Sequence, residues 1–183
     1  MSQRDSGYER KERDLYETPE WVTEALLPHI RPFMHVWEPA CGSGKMVRAL
    51  KAAGFAVWDS DIAADWSAVR FDFLDCKETL APDGIITNPP YELGTEFCEH
   101  ALKLMEPVGG MVAMLMRTDF DHAKTRSHLF RDCPAFAKKV VLTKRIVWFE
   151  PEPGSKGKSP SFNHAWFIWD WKHDGPPTIG YGP

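Results

Sequence analysis

Trp37-Glu38-Pro39-Ala40-Cys41-Gly42-Ser43-Gly44-Lys45 is the stretch on which the fold turns. An apolar run over residues 34–38 ends in it, and a helical pattern over 45–53 follows it. The small residues between them let the backbone pass sharply from strand to helix and approach a ligand closely. A phosphate-binding P-loop is excluded. It needs glycine five positions before Gly44 and Ser or Thr after Lys45, where Pro39 and Met46 stand. A dinucleotide fingerprint fits weakly, because Val47 occupies the place of its third glycine.

Outward from this turn, short apolar runs alternate with helical patterns. Before it, Thr18-Pro19 reads as N-cap and first residue of an amphipathic helix reaching about Ile30. After it, residues 55–59, 69–73 and 84–87 read as strands, 95–105 as a helix, 111–116 as a buried strand and 121–131 as a helix. Strands over 139–148 and 162–171 follow with no helix between them. The alternation predicts an α/β fold with a mostly parallel sheet, and the last two strands predict an antiparallel hairpin at its edge. The polar residues 1–15 and the Gly/Pro-rich tail 174–183 are expected to be flexible, leaving one domain over 16–173. Between the last two strands lies PEPGSKGKSP, residues 151–160, a run of breakers carrying Lys156 and Lys158.

At 183 residues, 43% of them apolar, the chain suits one domain with a real core. No window approaches a membrane span, and the charged residues 1–14 contain no apolar signal segment, so export is not expected. Cys41, Cys76, Cys98 and Cys133 are scattered and form no CxxC pair. A zinc knuckle or disulfide framework is not expected, and the reducing cytoplasm suits them. The net charge of −4 argues against a protein that coats nucleic acid electrostatically. Residues 1–100 hold 10 basic and 18 acidic residues, whereas 101–183 hold 12 and 8. Such a split could serve a cationic cofactor and a phosphate-bearing substrate, but chance scatter explains it as well.

Taken in order, the motifs resemble those of class I S-adenosylmethionine-dependent methyltransferases, and most of all the compact phage and prophage DNA adenine-N6 methyltransferases. The likeness runs from residue 16 to residue 171. It implies a Rossmann-like fold of seven strands, helices on both faces, and S-adenosyl-L-methionine over the carboxyl ends of the first strands. EPACGSG resembles the family's cofactor turn, which assigns Glu38, Ala40, Cys41, Gly42 and Gly44 to the cofactor. Asp59-Ser60-Asp61 closes the second strand about 20 residues past that turn, where a carboxylate meets a ribose in such sheets. The resemblance selects Asp61 rather than Asp59, with Ile62 beside it. By the same likeness Asp72 accepts from the cofactor's adenine amino group, and Phe73 lies against the ring. Tyr16-Glu17-Thr18-Pro19-Glu20-Trp21 resembles the N-terminal motif in which the Thr18 hydroxyl and the helix start at Pro19 meet the cofactor's carboxylate, and the likeness assigns Tyr16 to the cofactor as well.

Thr87-Asn88-Pro89-Pro90-Tyr91 follows the fourth strand directly, and its chemistry follows from the residues. An exocyclic amine on adenine is a poor nucleophile, because its lone pair is delocalised into the ring. Acceptors on both its N–H bonds favour a pyramidal nitrogen, and the Asn88 side-chain oxygen and Pro89 carbonyl can be those acceptors. Pro90 helps to fix the turn, since proline locks φ and lacks an N–H. Tyr91 offers a flat face to an extruded base, and Asn88 borders the cofactor as well. NPPY is shared by DNA adenine, some RNA and protein glutamine N-methyltransferases, so it specifies the reaction better than the substrate. The TP segment favours DNA. RNA adenine or protein glutamine methylation, and a degenerate module that binds nucleic acid without turnover, remain alternatives.

Arg117 and the late segment Arg145-Ile146-Val147-Trp148-Phe149 resemble the family's target-base motifs, with Trp148 and Phe149 as packing aromatics. Lys156 and Lys158 are candidate phosphate contacts. The chain departs from many DNA methyltransferases in having no segment long enough for a separate target-recognition domain. The seven histidines show no metal-ligand spacing, and Asn163-His164, ahead of a buried strand, reads as structural. Trp166, Trp169 and Trp171 lie in an alternating strand pattern that core and edge packing explain.

Overall fold

The computed structural model describes residues 16–32, 34–64, 68–78, 82–148 and 162–183. Eight strands form one sheet in the order β3-β2-β1-β4-β5-β7-β6-β8. They are β1 (His35–Glu38), β2 (Ala56–Asp61), β3 (Val69–Arg70), β4 (Gly84–Thr87), β5 (Met111–Arg117), β6 (Phe136–Leu142), β7 (His164–Asp170) and β8 (Thr178–Gly182). β1 to β5 pair in parallel. β7 lies antiparallel between β5 and β6, and β8 runs parallel to β6. Among the described residues the α-helices are α1 (Glu20–Glu24), α2 (Lys45–Ala52) and α3 (Gly94–Met105), and none of them is long and apolar enough to cross a membrane.

β4, β5 and β7 are buried almost throughout, as strands covered on both faces must be. Alternation along β5 divides its side chains between two cores. Val112, Met114 and Met116 meet Phe97, Ala101 and Met105 of α3, together with Phe167 and Trp169 of β7. Met111, Ala113 and Leu115 join Val22 and Leu26, Met46 and Leu50 of α2, and Trp166 and Ile168. Buried tryptophans need a partner for the indole N–H. Trp166 donates to the carbonyl of Val22, Trp169 to that of Leu129 and Trp171 to that of Leu102.

The class of fold is as expected, but the sheet has eight strands rather than seven, and four further details differ. The hairpin strands β6 and β7 lie inside the sheet rather than at its edge, because β8 occupies the edge. β8 comes from the tail expected to be flexible, so the packed domain runs on to Gly182. Its glycines permit this: a Cβ on Gly180 would stand 2.8 Å from the His29 ring, and one on Gly182 would stand 3.0 Å from Ala25 Cβ. Residues 121–131 form no α-helix. Two 3-10 stretches, Phe120–His122 and Lys124–Leu129, stand there, since the segment lacks an apolar stripe of helical period. α1 stops at Glu24 and gives way to a 3-10 turn at Leu27–His29, because Pro28 has no N–H to bond the Glu24 carbonyl and continue the α-helical ladder. The expectation for residues 1–15 lies outside the described residues.

Candidate active site

Glu38 closes β1 inside the protein, at 1% exposure. Its Oε1 accepts from the backbone N–H of Ala40 at 3.1 Å and from the Thr87 hydroxyl at 2.6 Å, which ties the ends of β1 and β4 together. Oε2 is buried with no partner. Burial pushes the carboxyl up to about 8, against the pull of those two hydrogen bonds. Beyond it the chain turns through Gly42 (φ 49°) and Gly44 (φ 77°) into α2. A side chain at Gly44 would be strained whatever the space around it. Cys41 is buried, and its thiol is pushed up to about 12 by that burial and by nearby carboxylates, so it is no nucleophile at neutral pH.

Asp61, at the end of β2, grips this turn. Its Oδ2 accepts from the Gly42 N–H at 2.9 Å and its Oδ1 from the Ala63 N–H at 2.8 Å. Each carboxylate oxygen can accept more than one hydrogen bond, so both retain capacity for a ligand hydroxyl. Asp59 instead pairs with Lys51 at 3.5 Å. Ile62 is 57% exposed beside Asp61. Asp72 Oδ1 accepts from the Leu74 N–H at 3.0 Å. Phe73 departs from expectation. Its ring is 2% exposed, packed against Trp37, Phe97 and His100, and belongs to the core rather than to an open adenine face.

The segment before α1 folds onto the same end of the sheet. Glu17 meets Lys45 at 2.7 Å, and this contact holds its carboxyl below the usual range. Thr18 is buried but makes no cap. Pro19, with extended backbone, holds the N-cap position without a side-chain bond, so the expected assignment shifts by one residue. With only five residues, α1 offers little helix dipole to a cofactor carboxylate.

Asn88 follows Thr87. Its Nδ2 donates to the carbonyl of Tyr16 at 3.1 Å, while its Oδ1 is shut off from solvent with no partner. Tyr16, whose carbonyl accepts from Asn88, belongs to a closed circuit of four rings. Tyr16 and Tyr91 stack at 6.2 Å between centroids, and Tyr91 and His164 at 5.9 Å. His164 meets Trp148 edge-on at 5.3 Å, and Trp148 meets Tyr16 at 5.4 Å. Pro89 is buried, and the Pro90 carbonyl accepts from the Leu93 N–H at 2.9 Å. Arg117, ending β5, lies with its guanidinium 3.8 Å from the Phe162 ring centroid.

The fold therefore brings together Tyr16, Glu38, the Gly42–Gly44 turn, Asp61, Asn88, Tyr91, Arg117 and Trp148 at the carboxyl ends of β1, β2, β4 and β5. Phe149, Lys156 and Lys158 lie outside the described residues. Sequence reasoning missed His164. Its only local signal was a polar residue opening a buried strand, and its ring partners lie 16 and 73 residues away.

No protein-family model and no curated protein sequence matches the chain. Among solved structures, a protein described as a candidate class I S-adenosylmethionine-dependent methyltransferase from Listeria monocytogenes matches with a TM-score of 0.62 and 14% identity. The match covers 93% of this chain and 67% of that one. The 23S rRNA methyltransferase ErmE matches with a TM-score of 0.55 and 18% identity, over 86% and 68%. The N-methyltransferase NodS from Bradyrhizobium japonicum, solved with S-adenosyl-L-homocysteine, matches with a TM-score of 0.53 and 13% identity, over 82% and 83%. At these identities the likeness is one of fold, the Rossmann-like fold of class I methyltransferases.

Proposed function

We propose that the chain binds S-adenosyl-L-methionine over the carboxyl ends of β1, β2 and β4 and transfers its methyl group to the N6 amino group of adenine in DNA. The observation that carries this reading is the Asn88 amide. It is held by its nitrogen on the Tyr16 carbonyl, its oxygen is buried without a partner, and Tyr16 belongs to a circuit of four aromatic rings that includes Tyr91, three residues after Asn88. An unpaired buried acceptor is costly, and a substrate N–H satisfies it. A flat heterocycle suits the stacked rings better than the thin amide of a glutamine does. Because Oδ1 is shut off from solvent, a target base reaches it only as the rings part and restack upon it.

The cofactor reading rests on the donor set. A positive-φ glycine turn, the unpartnered Oε2 of Glu38, and Asp61 with spare acceptor capacity suit a cationic amino acid joined to a ribose. When bound, the cofactor supplies an electrophilic methyl group on a sulfonium. The chain's own part is positioning. Asn88 Oδ1 and the Pro89 carbonyl accept from the target amine and keep its lone pair available. Tyr91 and Trp148 stack on the base, and Arg117 stands beside them. RNA adenine is the second reading, favoured by the fold's likeness to an enzyme named for 23S rRNA.

Calorimetry with S-adenosyl-L-homocysteine tests the cofactor half. The unaltered protein should bind it, and Asp61→Ala should weaken binding by at least about tenfold, the worth of one hydrogen bond to a charged group. No affinity in the unaltered protein would end the methyltransferase reading.

A further inference from the structure

One member of the circuit formed by Tyr16, Tyr91, His164 and Trp148 has no task in methyl transfer as described above. His164 opens β7 opposite Arg117, the last residue of β5, so the register of the sheet delivers it to the end where Asn88 lies. It is 2% exposed, stacked on Tyr91 and edge-on to Trp148, and its Nδ1 is buried with no hydrogen-bond partner. Burial, reinforced by the charge of Arg117, pushes its pKa down to about 4. At neutral pH the imidazole is uncharged and offers one N–H and one lone pair. As a packing residue it is a poor choice, since phenylalanine would fill the space and leave no polar atom unpaired.

Adenine presented with its amino group to Asn88 Oδ1 and the Pro89 carbonyl carries an acceptor nitrogen on each side of that group, N1 and N7. We infer that His164, in the tautomer with the proton on Nδ1, donates a hydrogen bond to one of these ring nitrogens and so helps to select the target base. The inference rests on the proposed adenine chemistry and adds to it a residue that reads the ring itself. A bond to N7 also rejects cytosine, whose amino group is flanked on one side by a C–H. A bond to N1 leaves cytosine, which has N3 there, to be rejected by shape.

The test uses DNA oligonucleotides whose target adenine is replaced by 7-deazaadenine or 1-deazaadenine. It is read as KM, because the replacements also alter the reactivity of the amine. For one of the two, the unaltered protein should show a KM raised about tenfold, the worth of one hydrogen bond near 1.4 kcal/mol. His164→Phe should show that same rise on ordinary adenine and no further rise on that analogue. His164→Asn, which places an amide N–H near the position of Nδ1, should recover part of the loss. Equal KM values for the unaltered protein on all three oligonucleotides would overturn the inference. So would a further tenfold loss of His164→Phe on the analogue. Affinity for S-adenosyl-L-homocysteine checks that the variants fold, and if His164→Phe does not, the comparison with the unaltered protein alone decides. Absence of transfer to ordinary adenine is a different result, which refutes the proposed function and the inference with it.

Discussion

Substituting Glu38 by Gln removes the titratable proton at the buried end of β1, and its effect on stability can be worked out from the surroundings. Glu38 has two donors on Oε1, none on Oε2, and a carboxyl raised from 4.5 to about 8 by burial. Between those pH values the folded chain keeps a proton that the unfolded chain has released. Unfolding then releases that proton, and stability falls as pH rises from about 4.5 through about 8. At about 1.36 kcal/mol per unit the whole gap is worth about 5 kcal/mol, a ceiling because surroundings relax around an ionised buried group. Glutamine is isosteric with the neutral acid and keeps an oxygen for Thr87 and Ala40. Urea unfolding at pH 5, 7 and 9 is the assay. The Glu38→Gln protein should match the unaltered one within about 1 kcal/mol at pH 5 and lead it by about 3–5 kcal/mol at pH 9. Parallel pH dependence, or a variant that falls behind at pH 9, would refute the reasoning.

Three further outcomes are expected. His164, with its pKa lowered from 6.5 to about 4, acts with the opposite sign: the unfolded chain gains a proton that the folded chain refuses, so stability is lost as pH falls from about 6.5 towards about 4. His164→Phe should flatten that acid arm, and an unchanged slope between pH 4 and 6.5 would contradict it. Asn88→Ala should lower kcat by about a hundredfold to a thousandfold, as loss of one preorganised polar partner does, with little change in cofactor affinity measured by calorimetry. An unchanged kcat would remove Asn88 from its role. Lys139, only 16% exposed, fastens the loop after β5 to β6 through the Thr118 carbonyl and both oxygens of Asp121. Lys139→Met should cost about 1–3 kcal/mol, since Asp121 keeps only the exposed His122 at 3.5 Å, and adding Asp121→Leu should restore much of it. Losses that simply add in thermal melts would show that the two do not act together.

What the sequence could disclose was whatever local chemistry encodes. The Gly42–Gly44 turn needs positive φ, and small residues between a strand and a helix announce it. β4 and Asn88 adjoin in sequence, so the placement of the motif at a strand's carboxyl end could be read directly. β8 was hidden because Gly and Pro dominate residues 174–183, and only the alternation of Ile179 and Tyr181 hinted at a strand. Its formation depends on His29 and Ala25, some 150 residues earlier, whose close approach requires those glycines. Phe73 follows an aspartate at a strand end and so resembled a ligand contact, but it packs with residues of α3 that no local pattern connects to it. The circuit of Tyr16, Tyr91, Trp148 and His164 likewise joins four segments through long-range packing. Tyr16, Tyr91 and Trp148 were each legible as candidates; their closure with His164 was not.

Labelled methyl transfer from S-adenosyl-L-methionine to unmethylated DNA, RNA and protein, followed by digestion and nucleoside analysis, tests the central proposal most directly. Label should enter DNA and be recovered as N6-methyladenine, at a rate lowered by about a hundredfold or more in Asn88→Ala protein that still binds S-adenosyl-L-homocysteine. Label recovered only in a protein amide, or at a ring carbon or ring nitrogen, would contradict it.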